Sequence, residues 1–575
     1  MFDSSAYPQR NGVVQLTLDN FEKDFGDRHL VHGCVEKFAR ETPDKVAIID
    51  AETDISYTYA EFDARATAFA MQLLKMGFKK GDFFATSLPF LVEHIFLEYA
   101  CFKIGVIHAP LDLRLKGPEV IRSLGLIQAK GYCFLGKTPV ADFGELGKAV
   151  MENCKYIEHF IQFAPADECI YNATSAFVIA EEAKDSAADP ELQKAYAAAH
   201  GAVDENDGAQ VIYTTGSTGF PKPALLSHRN ITCQNMCLGA AFGIVDDAKM
   251  LVNLPPSHVG GQAEQLMTPF FFGGTCVVIY IFDPEKTLRA IEKYQVDSFG
   301  QIPALFAMEW RLPNYKDFDL SSLRFALYGG QQVSRQFLEQ LSQMAPQFGT
   351  GLGLTEMAGF CTYSPLDGTV DDILAGVGYD MPVTPLTIRK PIQEDGRAGE
   401  ELPDGEAGEI CFAGPQVFIA YVNNEEAYRK TVSTDGVCYT GDLGYKDEKG
   451  LHFSGRSKLV IKPKGYQIHP AQVEQHFMDM EDKVSACGCV GVAHEVFTEG
   501  IVCFVEKKPG ASLSIEDLQA HAKDIAAYMR PSLYIILENG TFPLNRVAKT
   551  DYVVLKDTAK DAVETARKTG GWDAA

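Results

Sequence analysis

The tightest constraint on what this chain can fold into is an alternation between residues 58 and 109. Thr58 with Glu61 three residues on forms a capping box, and Phe62, Ala66, Phe69, Ala70, Leu73 and Leu74 then recur at helical spacing. Gly77 stands where a C-terminal cap belongs. Residues 83–85 read as a strand, 91–102 as a helix and 106–109 as the next strand. Strands that alternate with helices imply βαβ units and parallel sheets. The same pattern runs through most of the chain, with no internal repeat of 20–50 residues. Residues 181–207, rich in Ala, Asp and Glu, read as a solvated helical or loop segment.

From about Gly455 the texture changes. Short strands at 459–461, 488–492, 501–505 and 534–537 surround two helices, one at 470–480 and one around 515–529. The expected fold class is therefore α/β. A large N-terminal domain of parallel-sheet βα layers, residues 1–455, is followed by a small α+β domain, residues 456–575, with the boundary at 456–458.

Composition narrows the functional classes. The 575 residues are 46% hydrophobic and 22% charged, as in a globular protein. The net charge of −25 argues against a nucleic-acid partner, whose phosphates demand a basic face. None of the fourteen cysteines forms a CxxC pair; Cys487-Gly-Cys489 and Cys233-x-x-x-Cys237 match no zinc spacing. The polar first ten residues hold no signal-peptide core, and no apolar run reaches 18 residues. A cytoplasmic protein with reduced thiols and no integral membrane contact is expected. Oligomeric state is not legible.

The sharpest chemical signal is Tyr213-Thr-Thr-Gly-Ser-Thr-Gly-Phe-Pro-Lys-Pro-Ala-Leu-Leu-Ser-His-Arg-Asn230. A strand end leads into Thr214, Thr215, Gly216, Ser217, Thr218 and Gly219, followed by Lys222. Hydroxyls, unobstructed backbone N–H groups and one cation suit a polyphosphate. The spacing is not that of a Walker A loop. Gly351-Leu-Gly-Leu-Thr-Glu-Met357 carries the adjacent pair Thr355 and Glu356, which says little alone and gains meaning from its order after the 214–219 loop. Tyr439-Thr-Gly-Asp-Leu-Gly444 supplies Asp442, a carboxylate that by itself reads as an ordinary turn residue. Gly455-Arg-Ser-Lys-Leu-Val-Ile-Lys-Pro-Lys-Gly465 is a basic run, and Pro543-Leu-Asn-Arg-Val-Ala-Lys549 places a lysine near the C-terminus.

In order and content these five segments resemble the motifs of the adenylate-forming superfamily: acyl-CoA synthetases, peptide-synthetase adenylation domains and firefly luciferase. The resemblance is greatest to the AMP-forming acyl-CoA synthetases. It implies ATP or AMP, Mg²⁺ and coenzyme A as cofactors, and a small carboxylic acid as substrate. It casts the 214–219 loop and Lys222 as phosphate binders, Thr355 as a phosphate contact and Glu356 as the Mg²⁺ ligand. Leu352 and Gly353 would meet adenine, and Asp442 and Arg456 ribose. Lys549 would be the adenylation lysine, Lys458 the hinge, Lys462 a residue of the second half-reaction and Gly465 a wall of the pantetheine path. Gly329, Gly330 and Gln331 would line the adenine and acid sites, and His258 the acid pocket. Phe270, Phe271 and Phe272 read as core. Pro223, Leu352 and Ala548 stand where the family usually has glycine, tyrosine and glycine.

The expected reaction joins a carboxylate, ATP and coenzyme A into an acyl-CoA, AMP and diphosphate, reversibly, with an apolar medium-chain, alicyclic or aromatic acid favoured. Charging of a separate acyl carrier protein and a non-catalytic nucleotide-binding role are the alternatives. No carrier domain is expected after Lys549.

Overall fold

The structure, a computed structural model, describes residues 2–138, 141–214, 221–456, 459–463, 468–495, 498–545 and 549–572. The helix read from the first motif runs Tyr59–Lys75. Thr58 and Glu61 make both hydrogen bonds of the capping box, and Gly77 follows in the left-handed region at φ 89°. Its apolar stripe is buried through Phe62, Ala66, Ala70 and Leu73. Phe62 and Leu73 each contribute roughly 1.5–3 kcal/mol when fully removed from water.

Two sheets organise the large domain. The eight-stranded sheet runs Ala420–Tyr421, Pro223–Ser227, Gly208–Tyr213, Ile107–Pro110, Phe83–Ser87, Gly131–Leu135, His159–Phe163, Thr174–Ser175. Its strands from Gly208–Tyr213 onward are parallel, and the two at the other edge are antiparallel. The seven-stranded sheet runs Gln347–Gly349, Phe325–Tyr328, Ser298–Gln301, Lys249–Val252, Thr275–Val278, Val46–Asp50, Ser56–Thr58, parallel except for its last pair. Helices Val31–Glu41, Tyr59–Lys75, Val92–Lys103 and His228–Phe242 help fill the main cores with both sheets. Phe270, Phe271 and Phe272 are wholly buried there.

The sequence reading did not contain a third sheet, four antiparallel strands at Leu386–Arg389, Gly408–Phe412, Cys438–Asp447 and Gly450–Arg456. It ends at Arg456, and Ile461 already belongs to the small core built on Val484–His494, Thr498–Lys507 and Leu533–Leu537.

Three readings are corrected. Residues 459–461 form no strand: Ile461 makes one isolated bridge to Ile468, and Pro463 supplies no ladder donor. The helix expected around 515–529 is Ile515–His521 followed by two short turns, because the Arg530 guanidinium takes the carbonyls of Lys523 and Ile525. Residues 181–207 are not solvated throughout. Helix Ala176–Ala188 packs on Tyr59–Lys75 and buries Ala183 and Ser186, and a second helix starts at Pro190 under an Asp189 cap. The small domain also has a third helix, Tyr552–Lys568, capped by Asp551. No helix among the described residues is long and apolar enough to cross a membrane.

Candidate active site

The segment around 214–222 is held at its neck. Strands Gly208–Tyr213 and Pro223–Ser227 pair antiparallel with Tyr213 opposite Pro223. Thr214 N–H donates to the Lys222 carbonyl at 2.9 Å, and Lys222 N–H donates to Thr214 Oγ1 at 3.3 Å. Pro223 opens its strand, a position a proline tolerates, and its carbonyl accepts from Val422 N–H at 2.9 Å. Thr215, Gly216, Ser217, Thr218 and Gly219 lie outside the described residues.

The short strand Ala420–Tyr421 pairs with the far side of Pro223–Ser227 and carries a residue the sequence reading missed. The Lys222 ammonium stands 4.2 Å above the centre of the Tyr421 ring, a cation–π contact. The Tyr421 hydroxyl donates to Glu356 Oε1. Burial first, and Glu356 second, hold that hydroxyl far above its usual pKa, so it stays a donor. Thr355 and Glu356 sit on a single turn, Thr355–Met357, tethered where the Glu356 carbonyl accepts from Phe418 N–H at 2.9 Å. Lys222, Tyr421 and Glu356 thus form one chain of contacts. Tyr421 engages one Glu356 oxygen; the other has no protein partner among the described residues. That donor set fits Mg²⁺, which takes one or two carboxylates beside phosphate and water.

Asp442 and Arg456 lie directly opposite each other on the hairpin Cys438–Asp447/Gly450–Arg456, with Arg456 Nε 3.5 Å from Asp442 Oδ1. Gly441 N–H donates to Glu409 Oε1 at 3.0 Å, and Asp442 N–H to Thr440 Oγ1 at 3.1 Å. Burial raises the Asp442 carboxyl, while Arg456 and Lys549 pull it down.

Lys549 comes from the small domain. Asn545 brackets it, donating to its carbonyl at 2.7 Å and accepting from its N–H at 3.1 Å. Its side chain reaches across to Gly330, which follows strand Phe325–Tyr328 at φ 91°. A Cβ on Gly330 would lie 3.0 Å from Lys549 Cε and 3.4 Å from Nζ. Burial and the neighbouring Arg456 press the ammonium down to about 8, against the pull of Asp442 and Glu264. A Cβ on Gly329 would meet the Phe360 ring at 2.9 Å, and one on Gly353 the same ring at 2.7 Å. Gln331 is exposed, and Leu352 packs against the main core.

His258 is half-buried, its Nδ1 3.2 Å from Gly260 N–H. Burial and then Lys549 lower it to about 4, so its imidazole is neutral. The field of Asp112 and Arg114 also reaches it. Glu264, likewise missed from sequence, lies six residues further on, in the π-helix Gly260–Met267. Lys462 stands apart from this group. It is exposed on the small domain, its N–H donating to Glu499 Oε2 at 2.6 Å. Lys458 and Gly465 lie outside the described residues.

The cysteines are unpaired, and all but Cys169 are buried. The sulfurs of Cys487, Cys489 and Cys503 lie within 4.8 Å of one another because Cys503 faces Cys489 across the strand pair, a grouping no linear spacing reveals.

A site of this make-up, on two parallel sheets with a small α+β domain closing over it, is that of an adenylate-forming enzyme. The chain belongs to the AMP-binding enzyme family, whose model matches residues 35–422, with the AMP-binding enzyme C-terminal domain matching 472–549. The medium-chain fatty-acid–CoA ligase of Escherichia coli (strain K12) is 27% identical over 88% of this chain and 86% of its own length. A feruloyl-CoA synthase of Amycolatopsis sp is 28% identical over 86% of this chain and 92% of its own length. The fold is shared with ATP-bound MatB from Rhodopseudomonas palustris, with a TM-score of 0.74 at 24% identity over 92% of this chain and 99% of that one.

Proposed function

We propose that this enzyme is an AMP-forming acyl-CoA synthetase acting in two half-reactions on domains 1–455 and 456–575. One observation carries the reading. Lys549, delivered by the small domain, stands at Gly330 within the electrostatic reach of Asp442 and Arg456, in a domain that also joins Lys222 to Glu356 through Tyr421.

In the first half-reaction a carboxylate oxygen of the acid bonds to the α-phosphorus of ATP, the bond to the bridging oxygen breaks, and diphosphate leaves. Two anions meet, so preorganised positive charge must sit where negative charge gathers. Lys549 bridges the carboxylate and α-phosphate. Lys222, the 214–219 loop and Thr355 hold the departing phosphates. Asp442 and Arg456 fix the ribose, while Leu352, Gly353, Gly329 and Gly330 bound the adenine. Glu356 would hold Mg²⁺, which when bound would neutralise charge on the phosphates.

In the second half-reaction the small domain turns about Lys458 and presents Lys462 and Gly465. The coenzyme A sulfur bonds to the acyl carbon, the carbon–oxygen bond to phosphate breaks, and AMP leaves with that electron pair. No enzyme nucleophile is needed, because the adenylate already carries a leaving group. Both half-reactions are reversible. His258, Gly330 and Gln331 line an acid pocket for an apolar medium-chain, alicyclic or aromatic acid, a range that matches the names of the two curated relatives. A cytoplasmic setting suits the reduced thiols.

The test is acid-dependent release of AMP and diphosphate from Mg-ATP, with and without coenzyme A. Lys549→Ala is expected to abolish adenylate formation and spare thiol attack on supplied acyl-adenylate, and Lys462→Ala to do the reverse. Normal adenylate formation by Lys549→Ala refutes the assignment. Turnover that ignores coenzyme A moves the acceptor to a carrier protein or another nucleophile.

A further inference from the structure

Glu264 is a carboxylate that neither half-reaction uses. It occupies a π-helical turn, a local geometry that recurs at functional sites. Its Oε1 accepts from Phe360 N–H at 2.9 Å. Among the described residues it forms no ion pair, with Lys549 or with any other cation. Two glycines let the backbone come close to it from either side. A Cβ on Gly260 would stand 3.6 Å from Oε2, beside His258 Nδ1 and Leu254. A Cβ on Gly359 would stand 2.6 Å from Oε1 and 2.9 Å from Gln234 Nε2. Gln234 is wholly buried, and its Oε1 accepts from Asn235 at 3.0 Å, which fixes the amide orientation. Its Nε2 has no partner among the described residues. A buried amide donor without a partner is uncommon in native structures and asks for an explanation.

Position ties this pair to the acid. His258, Glu264 and Gly330 all lie within the influence or contact of the Lys549 side chain, which marks the reacting carboxylate in the function proposed above. Burial raises the Glu264 carboxyl to about 7, against the Phe360 N–H bond first and Lys549 second.

We propose that Glu264 is a specificity-determining residue, and that the acid this enzyme activates carries, on an otherwise apolar body, a hydroxyl or amino group that donates to the Glu264 carboxylate. A hydroxyl satisfies both orphans, donating to Glu264 and accepting from Gln234 Nε2. An ammonium group satisfies Glu264 alone. A site built to hydrogen-bond a substrate group rejects the analogue lacking it, because its own buried groups are then left unpaired.

The inference rests on the acid site assigned under the proposed function, so its test reads binding and turnover separately. Phenylalkanoic acids are compared with their hydroxylated and aminated counterparts, by calorimetry with AMP present and by AMP release with ATP and coenzyme A. Wild-type enzyme is expected to bind a donor-bearing acid at least ~10-fold more tightly than its parent. Glu264→Leu is expected to erase that preference. Glu264→Gln, which keeps an acceptor for Phe360 N–H, is expected to retain much of a hydroxyl preference and to lose an ammonium preference, which separates the two donors. Equal binding of parent and donor-bearing acids by the wild type overturns the proposal. So does an even loss across the whole panel in both variants, the signature of a tether for Phe360. Donor-dependent binding without AMP release sinks the ligase reading and leaves the Glu264 assignment standing.

Discussion

Replacing Lys549 by methionine is expected to make the small domain dock more firmly while it stops adenylation. In the docked structure the ammonium is buried against Gly330; burial first and Arg456 second disfavour its charge, Asp442 and Glu264 attract it, and its net pKa falls from 10.5 to about 8. At about 1.4 kcal/mol per unit, holding that lysine charged without substrate anions costs roughly 3.5 kcal/mol of docking free energy, on the order of a few hundredfold in population. The sign follows from proton counting. Undocked Lys549 keeps its proton up to pH 10.5, whereas docked Lys549 gives it up above about 8. The penalty is therefore fully present below pH 8 and fades between pH 8 and 10.5. Fluorescence transfer between dyes on the two domains of the ligand-free enzyme reads this directly. Wild-type docking is expected to rise over that window, and Lys549→Met to show the higher docking at every pH. A Lys549→Met enzyme that opens, or wild-type docking that falls with rising pH, refutes the electrostatic reasoning.

Three further outcomes follow from the site. Gly330→Val puts a β-branched side chain at φ 91° against Lys549 Cε. It is expected to slow adenylation by ~10²-fold or more, with a smaller effect on thiol attack on supplied adenylate, both read by AMP and thioester assays. Asp442→Ala removes the carboxylate that faces Arg456 and is expected to raise the KM for ATP by ~10-fold or more while leaving the acid's KM nearly unchanged, as steady-state kinetics will show. Tyr421→Phe frees Glu356 Oε1 but keeps a ring beneath Lys222, so a rise in the Mg²⁺ concentration needed for half-maximal rate is expected without loss of fold by circular dichroism.

What was legible in the sequence was what is local. The helix at 59–75 declares itself because its cap and apolar stripe lie within one window. The motifs declare themselves because each binding loop is a continuous string. Tyr421 and Glu264 announce nothing of the kind. Tyr421 enters only because a two-residue strand pairs with Pro223–Ser227 about two hundred residues earlier in the chain. Glu264 matters only because a π-helical turn sets its carboxylate between two glycine backbones and within the field of Lys549. The antiparallel sheet at 386–456 was missed for a related reason. Its strands carry glycines and charged residues, so alternation is blurred, and one register shift falls inside its binding hairpin. The helix over-read at 515–529 ends where the Arg530 side chain, eight residues past Ala522, turns back on the chain, an interaction no periodicity encodes.

The order of the seven-stranded sheet also sets a schedule for making the protein. Strand Val46–Asp50 emerges early, yet its parallel partner is Thr275–Val278, with Asp50 opposite Val278. At roughly 5–20 residues per second a ribosome needs on the order of 10–50 s to supply that partner. Until then Ala47 and Ile48, buried on opposite faces of the finished sheet, have only the short Ser56–Thr58 strand beside them and a second edge left unpaired. Newly made chains therefore pass through a long interval with a bare, aggregation-prone edge, and their demand for chaperones should peak before residue 278 has left the ribosomal tunnel.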